Sequence, residues 1–344
     1  MSREKDVLET FLKRLPQLLP TLQISRSRRD FSARRRARYD LSLDVRLGGK
    51  TKRLICEVKA VGEPRYLYQA IATLNLLRKE EKAYPVVVAP YLSPESQKIC
   101  RESGVGFVDL TGNAFLQFDN VLIERAGKEL PRRERVSRRR LFAPKSSRIL
   151  RVLLENPKVE WSLTRLSNEA QVSIRTAHAV VNALEDKAYV RKRRAAIALL
   201  KPAELLDLWA QNYSVEVNPE RAYYTFTRSL REFLEKLRGK AGTGYALTLH
   251  SGASLVAPFV RHTDIHFYWR GNLKKLVSSL DLRPVETGGT IHILTPYDEG
   301  VFYHVQEIDR LRIVSSIQLY LDLIHYPARG QEQAEFLRRQ KVSF

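Results

Sequence analysis

The chain has 344 residues, more than one core of ordinary size holds, so two or three domains are expected. It carries 59 Lys and Arg against 38 Asp and Glu, a net charge of +21, and an excess of this size points to a polyanionic partner, most often nucleic acid. The only cysteines, Cys56 and Cys100, have no CxxC or Cys/His spacing, which argues against a structural zinc site and fits a reducing, cytoplasmic setting. The N-terminus lacks an apolar stretch of signal-peptide type and no run approaches 18 apolar residues, so neither export nor a membrane span is expected.

In chain order, residues 4–21 carry apolar positions at helical spacing (Val7, Leu8, Phe11, Leu12, Leu15, Leu18) and predict a helix broken near Pro16 and Pro20. Residues 24–38 hold seven arginines, Arg34, Arg35 and Arg36 among them, and read as a mobile or DNA-facing loop. Residues 39–60 (YDLSLDVRLGGKTKRLICEVKA) alternate about Gly48-Gly49 and predict a β-hairpin on a two-residue turn. That turn sets Leu47 opposite Lys50, Asp44 opposite Arg53 and Asp40 opposite Glu57. One face then carries Leu41, Leu43, Val45, Leu54, Cys56 and Val58 and is expected to be buried. The other carries Asp40, Ser42, Asp44, Arg53, Ile55, Glu57 and Lys59.

A helix after Pro64 is predicted from the Leu67, Ala70, Ile71, Leu74, Leu77 stripe. A buried strand follows at 85–90. Ser93-Pro94 starts a helix that Gly104 ends, and two or three short strands over 106–124 turn at Gly112-Asn113. Residues 1–130 thus form one α/β domain, and the basic, proline-bearing stretch 131–145 is a linker. In 146–202, helices over 148–154, 162–170 and 174–184 precede strands at 189–192 and 196–200, the order of a winged helix-turn-helix. Its third helix would offer Arg175, Thr176 and Asn182 to the major groove, and Arg191, Lys192, Arg193 and Arg194 would form a wing against phosphate. Residues 203–344 alternate strands and helices and read as a C-terminal α/β domain with no assignable role. There, His250-Ser251-Gly252 hints at a nucleotidyltransferase but lacks a second acid, and the His262, His266 spacing falls on a strand and suits a structural role.

The chemistry concentrates on the hairpin. Asp40, sixteen residues, then Glu57-Val58-Lys59 puts two carboxylates and a lysine on one face. Two such carboxylates and the Val58 carbonyl suit Mg²⁺, an ion that takes oxygen ligands, and the lysine would position a nucleophile attacking phosphate. Asp44, opposite Arg53, is better read as half of a cross-strand ion pair.

On these residues the N-terminal domain resembles the restriction-endonuclease-like PD-(D/E)XK superfamily. The resemblance implies Asp40 and Glu57 as metal ligands and Asp40, Glu57 and Lys59 as the catalytic set. Some members add a helix-borne glutamine, which would be Gln69, and a glutamate from the first helix, which would be Glu9. Tyr39 stands where a proline usually precedes the first acid, and Thr73 where a tyrosine can follow the glutamine. Two further segments, SPESQKICRESGVGFVDLTGNAFL (93–116) and SSIQLYLDL…PARGQEQAEFL (315–337), are similar to the AbiEi-type family, the antitoxin and regulator side of type IV toxin–antitoxin systems. That family implies winged-helix DNA binding, transcriptional control and a cognate toxin. Its winged helix is N-terminal in the best-known members and central here.

The expected architecture is therefore α/β multidomain: a restriction-endonuclease-like domain, a central winged helix-turn-helix and a C-terminal α/β domain. Two functions fit it. One is a regulator binding double-stranded DNA, with a homodimer expected for paired half-sites. The other is a Mg²⁺-dependent DNA endonuclease targeted by its winged helix.

Overall fold

The structure, a computed structural model, describes residues 2–29, 39–47, 50–127, 140–194 and 196–344. The fold is mixed α/β, with twelve α-helices and two seven-stranded sheets among the described residues. None of those helices is long and apolar enough to cross a membrane. Packing divides the chain into two compact units, Met1–Ser137 with Leu184–Ala188, and Arg138–Ala183 with Tyr189–Phe344. The linker read over 131–145 straddles that division, and 131–139 lie outside the described residues.

The first unit is a sheet covered on both faces. Its strands run in sequence order: β1 (Gln23–Arg29), β2 (Leu41–Leu47), β3 (Lys50–Val58), β4 (Tyr84–Ala89), β5 (Gly106–Asp109), β6 (Ala114–Phe118) and β7 (Val121–Arg125). The central pairs β3–β4 and β4–β5 are parallel, and the flanking pairs are antiparallel. Parallel neighbours need a crossover, supplied by α2 (Pro64–Glu81) and α3 (Pro94–Glu102). β4 is buried along its whole length, as a continuous apolar run in a parallel centre should be.

The hairpin register is the one the alternation predicts, with Leu47 opposite Lys50 and Asp44 opposite Arg53; Gly48 and Gly49 lie outside the described residues. Leu41, Leu43, Val45, Leu54, Cys56 and Val58 are buried under α1 (Ser2–Leu18) through Val7, Leu8, Phe11 and Leu15. On the opposite face, Ile55 packs beneath Leu67, Ala70, Ile71 and Leu74 of α2. Burying each such side chain contributes about 1.5–3 kcal/mol.

Two expectations change here. The helix predicted to break near Pro16 runs through it to Leu18. Burial of Leu15, Leu18 and Leu19 offsets the hydrogen bond that proline cannot make. The arginine-rich stretch is not all loop: residues 23–29 form edge strand β1, whose backbone pairs with β2 despite the charge. Arg34, Arg35 and Arg36 lie outside the described residues.

The FVDLTGN segment has a structural explanation. Asp109 is buried and accepts from the backbone N–H groups of Leu92, Thr111 and Asn113, the Thr111 hydroxyl and the Asn113 amide. Gly112 takes the left-handed φ of 101° that the turn requires. Gly62 is fixed by crowding instead, because a Cβ there would lie 2.1 Å from the Tyr91 carbonyl oxygen. Gly62→Ala is expected to lower stability by roughly 1–3 kcal/mol through overpacking. Chemical denaturation checks this, and a change below about 0.5 kcal/mol would show that the loop yields freely.

The second unit begins with α4 (Pro144–Glu155), α5 (Leu163–Glu169) and α6 (Ile174–Asp186, its residues from Leu184 counted with the first unit), followed by the antiparallel pair β8 (Val190–Arg193) and β9 (Ala196–Leu199). Ser162 caps α5 by accepting the Arg165 N–H, and Ser173 caps α6 by accepting that of Thr176. Ala177, Val180 and Val181 form the buried stripe of α6. After α7 (Pro202–Ala210) comes the second sheet: β10 (Glu220–Tyr224), β11 (Tyr245–Leu247), β12 (Ile265–Trp269), β13 (Arg283–Pro284), β14 (Ile291–Leu294), β15 (Gln306–Ile308) and β16 (Leu311–Ile313). Its spatial order is β13-β10-β14-β12-β11-β16-β15, with helices α8 (Leu230–Ala241), α9 (Leu249–Val256), α10 (Leu273–Ser279), α11 (Ser316–Leu323) and α12 (Gly330–Lys341).

The sequence reading separates 146–202 from 203–344, yet α4 is bonded to side chains of the C-terminal segment. Arg148 pairs with Asp298 at 2.7 Å. Arg151, wholly buried, lies over the Trp209 ring and donates to the Ser147 and Tyr297 hydroxyls and the Gln318 side-chain oxygen. A buried guanidinium needs acceptors for its donors; its two terminal nitrogens find them while Nε is buried without one, and the bonds tie α4 to Tyr297 and to Gln318 of α11.

Candidate functional site

The hairpin face of the first unit gathers acids and a lysine. The Asp40 N–H donates to the Cys56 carbonyl, which continues the β2–β3 ladder by one residue. The Asp40 Oδ2 accepts the Val58 N–H at 2.7 Å, which holds this carboxylate near enough to Glu57 and Lys59 to act on both charges. Lys59 Nζ donates to Glu57 Oε1 at 2.7 Å and lies 3.9 Å from Glu4 Oε1. Glu57 and Lys59 expose only 13% and 17% of their side chains. Burial pushes the Glu57 carboxyl above its usual range against the opposing pull of Lys59, and Asp40 and Glu4 push it the same way as burial. Burial alone would lower Lys59, but the Glu57, Glu4 and Asp40 carboxylates outweigh it and hold the ammonium above its ordinary value. The result is a half-buried cation flanked by three acids.

Of the residues the sequence reading assigns to this face, Asp40, Glu57, Val58 and Lys59 come together, Val58 through its backbone N–H. Gln69 does not join them. It is exposed on α2 between the buried Leu67 and Ala70, and among the described residues no hydrogen bond links its side chain to the three. The first-helix acid beside Lys59 is Glu4, whereas Glu9 is exposed. Asp44 bonds Arg53 at 3.1 Å, a cross-strand ion pair that leaves Asp40 as the acid next to Glu57.

The second gathering is the basic hairpin. Arg191, Lys192, Arg193 and Arg194 are all exposed, and Arg194 takes a φ of 52° at the turn. Arg175 is exposed at the start of α6, with His178 and Ala179 exposed one turn on. Thr176 is half-buried, and its hydroxyl meets the Ser173 hydroxyl at 2.9 Å, so it serves the cap. Asn182 is half-buried too; it accepts Lys192 Nζ at 2.5 Å and faces His178, joining α6 to the strand pair. The sequence reading groups Thr176 and Asn182 with base-reading side chains, whereas the structure occupies both with local contacts.

In the second sheet, Ser251 donates to the Asp264 carbonyl and accepts the His266 N–H, so its hydroxyl is spent on local structure. A cavity of about 390 Å³ is lined by His250, His262, Asp264, His266 and Tyr326. His266 also stacks on His292, which in turn bonds Glu220. Burial holds His266 far below an ordinary histidine, at about 3. The hydrogen bond to Glu220 raises His292 and lowers Glu220. No spacing in the sequence announces this trio.

Comparison with known proteins bears on the second unit. No curated protein and no solved structure matches the chain. Residues 198–343, the part of the chain that builds the second sheet, match the family described as "Transcriptional regulator, AbiEi antitoxin, Type IV TA system".

Proposed function

We propose that the chain is a DNA-binding transcriptional regulator of antitoxin type. The observation that carries this is the exposed run Arg191–Arg194 on a strand pair directly after three short helices, the third opening on exposed Arg175. That arrangement suits a winged helix, with Arg175 and its exposed neighbours at the groove edge and the strand pair as the wing on phosphate. The family match over 198–343 and the net charge of +21 support the same reading. It brings with it a cytoplasmic setting, a cognate toxin as protein partner and a homodimer on paired half-sites. Selection of bound duplexes from a random pool, followed by binding measured against salt, tests it. Enrichment of one sequence with a steep inverse salt dependence is expected; no enrichment, with binding equal across sequences, would sink the regulatory reading.

A second reading rests on the hairpin face: metal-dependent DNA cleavage by a restriction-endonuclease-like domain. Glu57 and Asp40 each keep an oxygen not engaged by Lys59 or Val58, and an all-oxygen set suits Mg²⁺. When bound, such an ion would supply an activated water and charge on the phosphate. Lys59 would hold a proton next to Glu57 and Asp40 and orient the attacking group. On this reading, supercoiled DNA is nicked with Mg²⁺ and not in its absence, and Glu57→Gln or Lys59→Ala lowers the rate by at least about a hundredfold. Equal nicking by the variants would assign the activity elsewhere, and no nicking with any divalent ion would leave this face a binding or structural one.

A further inference from the structure

Glu220, His292 and His266 stand on three neighbouring strands, β10, β14 and β12. Register places His266 beside His292 and His292 beside Ala222, two residues from Glu220, so all three side chains share one face of the sheet. Among the described residues they are the one trio of His, Cys, Asp or Glu whose ligand atoms lie within 4.8 Å of one another.

The nitrogens are arranged for more than a hydrogen bond. His292 Nε2 faces the Gly289 carbonyl at 3.0 Å, and a carbonyl only accepts, so this nitrogen carries the hydrogen. Its Nδ1 points at Glu220 Oε1, 2.6 Å away. His266 is 3% exposed; its Nε2 meets the Tyr326 hydroxyl at 3.1 Å, and its Nδ1 is buried with no hydrogen-bond partner. A buried polar atom left unmatched calls for an explanation, and ligation of a metal ion is one.

We propose that Glu220, His266 and His292 form a site for a divalent transition-metal ion, with zinc the best match. Two imidazoles and one carboxylate are the donor set of an open tetrahedral zinc site, whereas Mg²⁺ and Ca²⁺ favour oxygen alone. The Gly289 carbonyl fixes the tautomer of His292 and makes Nδ1 its ligating nitrogen once the proton shared with Glu220 leaves; such a partner of a ligand is a regular part of metal sites. Glu220 exposes 40% of its side chain and gives an ion its way in. Binding replaces the proton between His292 and Glu220, widening that 2.6 Å contact to roughly the 3.3 Å that metal–ligand bonds near 2.0–2.1 Å allow at a tetrahedral angle. The two rings now lie face to face, 4.4 Å apart and 11° from parallel, so one must turn about its Cβ–Cγ bond to aim its lone pair at the ion. His266 is the ring to turn, because its Nδ1 has no hydrogen bond to give up; the turn shifts its Nε2 relative to the Tyr326 hydroxyl. The bound ion would pin three strands of the sheet together.

The test uses the full chain, stripped with a chelator and kept in excess Mg²⁺ so that all-oxygen sites are filled. Zn²⁺ is titrated by calorimetry and thermal melting, and Co²⁺ by visible absorption. One Zn²⁺ per chain, a raised melting temperature and a visible Co²⁺ band are expected. Glu220→Gln and His292→Gln should each weaken Zn²⁺ binding more than roughly a hundredfold, beyond what losing a partner of a ligand costs, while exposed His304→Gln binds like the wild type. A wild-type chain with no Zn²⁺-dependent rise in melting temperature overturns the proposal, as do Glu220→Gln and His292→Gln chains that bind Zn²⁺ as tightly as the wild type.

Discussion

Replacing Arg191, Arg193 and Arg194 with glutamine together is expected to weaken duplex binding on the order of a hundredfold near 0.1 M salt. The reason is counterion release: each phosphate neutralised contributes roughly 0.9 to the slope of log affinity against log salt, so three lost contacts flatten the slope by about 2.7. The three side chains are exposed, and the β8–β9 pairing runs through backbone, so the fold should tolerate the change. Lys192 is left in place because it bonds Asn182 and ties the strand pair to α6. Fluorescence anisotropy on a labelled duplex at five or six salt concentrations reads both quantities. A slope unchanged from the wild type would mean that the strand pair does not touch phosphate.

Asp322→Ala is the substitution expected to cost the most stability. Asp322 is 1% exposed and accepts from the Tyr213 hydroxyl at 2.7 Å, the Thr248 hydroxyl at 2.5 Å, the Tyr268 hydroxyl at 3.0 Å and the Gln318 amide at 2.7 Å. Burial pushes its carboxyl up, and these donors pull it back. Alanine removes the acceptor for all four and leaves them buried, at a cost of about 3–5 kcal/mol. Gln318 also bonds Arg151, so the loss reaches α4. Urea unfolding of wild type and variant gives the difference; a value under about 1 kcal/mol would mean that the four donors find other acceptors.

Sequence alone carries local geometry well and distant geometry poorly. The hairpin register could be read because a two-residue turn and a period of two leave one solution that buries Leu41, Leu43 and Val45. That register also ranks Asp40 above Asp44. β1 was illegible because arginine is a poor marker of strand, and the backbone of residues 23–29 pairs for reasons that lie in β2. Choosing Glu4 over Glu9 needs the direction in which α1 crosses the sheet, which no periodicity encodes. Sequence position alone groups Thr176 and Asn182 with Arg175 as candidate groove readers, but Ser173 and Lys192 engage their side chains. The Glu220, His292 and His266 trio spans 72 residues and three strands whose order differs from their sequence order, so only the assembled sheet displays it.

The core of the first unit shuts the protein's thiol chemistry away from solvent. Cys56 and Cys100 are the chain's only thiols, and both are buried there, one beneath α1 and the other with α2 and α3. Burial raises both far above an ordinary thiol, so in the folded protein they are protonated and inert. The second unit has none. Alkylation of this protein is therefore a built-in clock for the opening of its N-terminal core, with each of that core's two faces carrying its own mark and the rest of the chain silent.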